Sequence, residues 1–162
     1  MALEIAFWVL AVVVIAAALA VVLLPNIFRS ALALVLCFLA VAGIFITLSA
    51  DFLAAAQVLI YVGAIAILII LAIMLTREVQ RGSLSNKLKT PVLISSLLFL
   101  GIAIFALINT PWPLASEPPQ EPTTTALASR LFGEDGFFLL VEIGAILLLA
   151  TIIGAISLVR EK

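Results

Sequence analysis

Four residues of this chain have the chemistry and the setting to move a proton or reshape a helix: Gln57, Tyr61, Gly63 and Glu142. Glu142 stands in the apolar run Leu139-Leu140-Val141-Glu142-Ile143-Gly144-Ala145. A carboxylate in hydrocarbon is costly, so it either takes up a proton or finds a partner, and intramembrane acids of this kind serve proton relays. The competing reading is structural. Glu142 lies five residues past Phe137, about 7–8 Å into a helix that rises 1.5 Å per residue, shallow enough to turn to the headgroups or to pair with a neighbouring chain. Gln57 and Tyr61 are one helical turn apart and bring hydrogen-bonding groups into a second apolar run. Gly63 follows two residues on, where a glycine weakens the local ladder and admits a kink, a π-bulge or close packing. The bland alternative there is a packing notch beside a Tyr bonded to a neighbour. Thr47, Ser95, Ser96 and Ser157 read as ordinary helix-packing residues.

Much other chemistry is excluded. The 162 residues include no His and one Cys, Cys37, so haem with His ligands, a Cys-ligated iron–sulfur cluster and a tetrahedral zinc site cannot be built from this chain alone. Ser–His–Asp and Cys–His nucleophiles go with them. Cys37 sits in an apolar run and reads as a buried thiol. A net charge of −1 offers no basic surface for nucleic acid. No cofactor is expected on this chain.

The elements that must position these residues are membrane helices. Apolar residues make up 66% and charged ones 10%, against about 45–50% and 25% in globular chains, and the mean hydropathy is +1.42. So few charges cannot cover so much Leu, Ile, Val and Ala in water. A span needs about 20 apolar residues and must be helical, because lipid offers backbone groups no partner. The expectation is an all-α integral membrane protein, a single transmembrane domain with five spans: Ile5–Leu24, Ala31–Leu48, Phe52–Leu75, Val92–Ile108 and Phe137–Val159. Pro25 ends the first, and Pro25–Ser30 forms the next turn. Only Ser49–Asp51 joins the second and third, a tight hairpin in which Asp51 is placed to N-cap. Pro91 should open the fourth. The longest connection, Asn109–Gly136, holds five of the seven prolines and reads as mostly irregular, with a short interfacial helix over Ala126–Phe132.

Basic residues set the orientation. Arg29, Arg77, Arg81, Lys87, Lys89, Arg160 and Lys162 fall on one side, and only Arg130 falls opposite, beside Glu4, Asp51, Glu117, Glu121, Glu134 and Asp135. This puts the N-terminus outside and the C-terminus in the cytoplasm. Trp8 and Trp112 then read as belt residues of the outer interface.

The string Asp51-Phe52-Leu53-Ala54-Ala55-Ala56-Gln57, then Tyr61-Val62-Gly63-Ala64-Ile65, running on to Met74-Leu75, resembles the signature of NADH-quinone oxidoreductase subunit J, the bacterial counterpart of mitochondrial complex I subunit 6. Glu142-Ile143-Gly144-Ala145-Ile146-Leu147-Leu148-Leu149-Ala150 followed by Ile153-Gly154-Ala155 is similar to that family's final helix, although Leu140-Val141 stands where relatives often have Pro-Phe. The resemblance implies a membrane-arm subunit of a proton-pumping complex in a bacterial inner membrane. FMN, iron–sulfur clusters, NADH and quinone would be bound by partner subunits. Partners would include the quinone-channel subunit, the small three-helix subunits and the antiporter-like subunits. The family's third helix carries a π-bulge, which would fall on Tyr61–Ile65 here and would open or break a water path when it changes form. The alternatives are a subunit of a related cation/proton antiporter or membrane-bound hydrogenase, or a purely structural membrane subunit.

Overall fold

The computed structural model describes residues 1–76, 89–112, 123–133 and 136–160. Within them the chain is helical: α1 (Ala2–Leu23), α2 (Ile27–Thr47), α3 (Asp51–Leu75), α4 (Lys89–Asn109), α5 (Thr123–Phe132) and α6 (Phe138–Arg160). Five of these, all but α5, are long and apolar enough to cross a membrane. The expected spans therefore stand, with boundaries moved by at most four residues.

The largest shift has a local cause. Helix α2 begins at Ile27 because the Asn26 side chain accepts a hydrogen bond from the Arg29 backbone N–H at 3.2 Å, capping the helix ahead of the expected Ala31. The Ser30 hydroxyl donates to the Leu24 carbonyl and secures the corner. Asp51 does not N-cap α3. It is the first helical residue, preceded by Ala50 with no side-chain cap, and its carboxylate instead sits in the first turn, where the helix dipole favours it. Pro91 is the third residue of α4 rather than its opening one, a position still without an intrahelical N–H partner to lose. The interfacial helix starts at Thr123, three residues before Ala126.

The α2–α3 hairpin closes through a Schellman turn. The Ala50 N–H donates to the Phe45 carbonyl at 2.9 Å and the Ser49 N–H to the Ile46 carbonyl at 3.0 Å, with Ser49 at φ 57° in the left-handed region usually given to glycine. Helix α2 is the middle of a three-helix layer: α1 packs on one flank, α3 on the other, and α1 and α3 do not meet. Small residues make the approach close. Ala17, Ala31, Ala40 and Ala42 are buried, and Leu10 of α1 lies where a side chain on Gly43 would project. The Cys37 thiol donates to the Val14 carbonyl across the same seam, at 3.8 Å. Packing by small residues is the usual way for helices to associate without a hydrophobic drive.

The other two spans stand apart. Among the described residues α4 packs against no other element, and α6 touches only α5. Most charges that set the orientation, namely Arg77, Arg81, Lys87, the Lys89 side chain, Lys162, Glu117, Glu121, Glu134 and Asp135, lie outside the described residues.

Candidate functional site

Helix α3 is not α-helical throughout. Asp51–Ala56 and Ile67–Leu75 are α, but the ten residues Gln57–Ala66 between them form a π-helix, so that backbone N–H groups reach five residues back instead of four. The segment starts on Gln57, contains Tyr61 and Gly63, and extends on both sides beyond the Tyr61–Ile65 stretch that the family resemblance implied. Three of the four candidate residues thus fall in one irregular element.

The π winding decides which side chains face α2. Gln57 and Ala66, first and last of the segment, are both buried, at 8% and 1% exposure. Nine residues of α-helix make two and a half turns and would set the two on opposite faces. At about 4.4 residues per turn, nine residues of π-helix make close to two, and both face the same neighbour. That neighbour is α2, the one helix outside α3 that the segment packs against. Ile69, Ile70 and Ile73 are half-buried beyond it and continue the seam.

Gln57 is the one buried polar residue among those described, and its side chain has no hydrogen-bonding partner among them. None of its polar atoms is wholly closed off. A groove of about 350 Å³ opens one turn away, lined by Ile46, Asp51, Ala54, Ala55 and Val58. An amide in an apolar setting is satisfied by water or by a polar group of another molecule.

Tyr61 packs its ring edge-on against Phe38 of α2 and remains 44% exposed. Gly63 is exposed, and a Cβ built on it would lie 3.4 Å from the Val58 carbonyl oxygen, an ordinary contact. Its close approach to its own helix is therefore not forced by sterics. What glycine supplies is backbone freedom.

Glu142 is elsewhere. It lies in the second turn of α6, exposed, and α6 does not touch α3. The structure brings Gln57, Tyr61 and Gly63 together on one helix and keeps Glu142 apart from them. Gly144 and Ala155 on α6 are likewise exposed. Sequence reasoning missed Ser49, whose left-handed backbone turns the chain into α3, and Thr123, whose hydroxyl donates to the Ser49 carbonyl at 2.9 Å. No spacing or composition signal marks either.

A family model described as NADH-ubiquinone/plastoquinone oxidoreductase chain 6 matches residues 17–158. The NAD(P)H-quinone oxidoreductase chain 6 of Synechocystis sp. is 42% identical over 162 residues, covering 97% of this chain and 80% of the relative. That of Leptolyngbya boryana is 37% identical over 163 residues, covering 98% and 80%. The F(420)H(2) dehydrogenase subunit J of Methanosarcina mazei is 37% identical over 161 residues, covering 96% and 90%. With a family model matched over residues 17–158 and relatives up to 42% identical over nearly its whole length, the chain belongs to the NADH-ubiquinone/plastoquinone oxidoreductase chain 6 family.

Proposed function

We propose that this chain is a membrane-arm subunit of a proton-pumping NAD(P)H:quinone oxidoreductase and that α3 is its moving part. The observation that carries the reading is the ten-residue π segment with Gln57 and Ala66 held in phase against α2. Rewinding Gln57–Ala66 as α-helix would turn everything beyond Ala66 by nearly half a revolution relative to Asp51–Ala56. An element with two discrete windings is what coupling between distant sites needs. In the π form, Gln57 and Tyr61 present an amide and a phenol along one stretch of α3, where they can hold water in a proton path. Gly63 lowers the barrier to rewinding. Glu142, on a helix that among the described residues packs against none of the other spans, reaches such a path only through water or a partner subunit.

The electron-carrying groups, FMN and iron–sulfur clusters, and the quinone belong in this reading to partner subunits, as does the electron donor's site. Exposed α4 and α6, and the exposed face of Tyr61 and Gly63, are surfaces for those partners: the quinone-channel subunit, the small three-helix subunits and the antiporter-like subunits. In this reading the N-terminus faces outside and the C-terminus the cytoplasm, on the strength of the basic loops, and the membrane is a bacterial inner membrane. The relative from Methanosarcina mazei is an F(420)H(2) dehydrogenase subunit, so the donor here is identified by assay with both NAD(P)H and a deazaflavin.

Purification in mild detergent, with identification of the co-purifying chains, tests the assignment. Recovery with flavoprotein and iron–sulfur subunits is expected; recovery of this chain alone overturns it.

A further inference from the structure

Helix α5 is tied at both ends. At its start, the Thr123 hydroxyl donates to the Ser49 carbonyl at 2.9 Å, a bond between residues 74 positions apart and partly buried. Thr123, Leu127 and Leu131, one helical face, are half-buried while the residues between them are exposed. Thr123 and Leu127 line a groove of about 260 Å³ with Leu48, Ser49, Ala50, Phe52 and Leu53 of the hairpin. Along α3, α5 packs only on Asp51–Ala56 and stops where the π segment begins.

At its end, α5 is locked to α6. The Phe137 N–H donates to the Arg130 carbonyl at 3.0 Å and the Gly136 N–H to the Gly133 carbonyl at 2.8 Å. A Cβ on Gly133 would collide with the Ser129 carbonyl, and one on Gly136 would lie 2.8 Å from the Gly133 carbonyl and 2.9 Å from that of Arg130. Positions 133 and 136 admit glycine only, and Phe132 and Phe138 pack edge to face beside them with ring centroids 6.4 Å apart. Among the described residues α5 is the sole contact between α6 and the three-helix layer.

The residue it grips is the strained one. Ser49 is the one non-glycine residue at positive φ among those described, a conformation that persists only where surroundings impose it. We propose that α5 is a brace that transmits the position of α6, and with it Glu142, to the α2–α3 turn and so to the first turn of the π segment. Thr123 is its positioning residue. The brace goes beyond the gating role of α3 and stands or falls separately from it.

Amide hydrogen exchange across residues 48–56 in the whole complex tests this. Thr123→Val keeps the side-chain shape and removes the donor, and should speed exchange there roughly fivefold, the worth of one net hydrogen bond. Thr123→Ser, which keeps the hydroxyl, should restore wild-type exchange. In a Ser49→Gly background, where the left-handed turn is no longer strained, the Thr123→Val effect should fall by more than half. Leu127→Ala, which leaves the hydrogen bond in place and empties part of the groove, should accelerate the same amides. Unchanged exchange in both Thr123→Val and Leu127→Ala, a Thr123→Ser variant as fast as Thr123→Val, or an undiminished effect in the glycine background each overturns the brace. Faster exchange upholds the brace whatever the proton yield per electron, which tests the gating role of α3 and not the brace.

Discussion

The ring of Tyr61 meets the ring of Phe38 edge-on, centroids 5.4 Å apart and planes at 70°. The contact joins the middle of the π segment to α2, while the Tyr61 hydroxyl has no hydrogen-bonding partner among the described residues. Ring and hydroxyl are therefore separable. An edge-to-face pair contributes about 0.5–1.5 kcal/mol beyond its buried area.

Tyr61→Phe keeps that pair and deletes the hydroxyl. Assembly and thermal stability of the complex should be unchanged, and proton translocation per electron should fall if the phenol lies in the water path. Tyr61→Leu loses the aromatic pair and should lower the melting temperature as well. The two variants are compared in reconstituted vesicles with a pH-sensitive dye. Equal proton yield in Tyr61→Phe and wild type removes Tyr61 from the path.

Gln57→Leu replaces a buried amide by an apolar group of similar size. Such a change is nearly neutral for stability when no bonded partner is left unsatisfied, and Gln57 leaves none within the described chain. Stability should shift by less than about 1 kcal/mol. Turnover coupled to pumping should drop several-fold, because the site loses its means of holding water. Loss of the assembled complex instead would show that the amide bonds a partner subunit.

How much of this could be read from the residues differs from element to element. The spans were legible because about 20 apolar residues in a row have one structural solution in lipid. The winding of Gln57–Ala66 was legible only in part: the family resemblance implied a π-bulge over Tyr61–Ile65, but not its ten-residue extent. A helix apolar on nearly every side carries no stripe from which 3.6 could be told from 4.4 residues per turn, and in the residues themselves only Gly63 hinted at irregularity. Asn26 was passed over as a cap because Pro25 drew the helix end away from it. Ser49 occupies a position where glycine is the expected residue, so its sequence gives no sign of the turn. Thr123-Thr124-Thr125 looks like loop composition, yet the first of these threonines opens α5 and bonds across 74 residues. Such a long-range bond leaves no local trace.

Gly63 tests the rewinding. A Cβ is accommodated there at 3.4 Å from the Val58 carbonyl, so Gly63→Ala should assemble and pump close to normally. Gly63→Val adds β-branching, which fixes the side-chain rotamer in a helix and should stiffen α3. Assembly is expected to survive, with proton yield per electron reduced at least twofold, on the order of 0.4 kcal/mol of altered balance between windings. A Gly63→Val complex with wild-type proton yield and quinone reductase activity would sink the gating role of α3.

Glu142 requires a different argument, because no other described residue completes it. It is exposed, in the second turn of a helix that meets the rest of the described molecule only through α5. At about 1.5 Å per residue it lies roughly 6 Å past Phe138, and Gln57 lies roughly 9 Å past Asp51 by the same measure. The two helices start at the same end of the molecule, where α5 bridges them, so both groups lie near that end of their helices. A carboxyl at that depth that serves the path must exchange protons with water, whereas one that merely faces headgroups does nothing to turnover. Glu142→Gln separates the two: it keeps size and hydrogen bonding and removes the proton. A modest fall in turnover, about two- to fivefold, is expected, the small end of what one positioned proton-transfer group contributes. The fall should be accompanied by an altered pH profile, while Glu142→Asp keeps the wild-type profile. Turnover in Glu142→Gln that matches wild type at every pH assigns the residue to the interface and leaves the proton path to α3 and to the partner subunits.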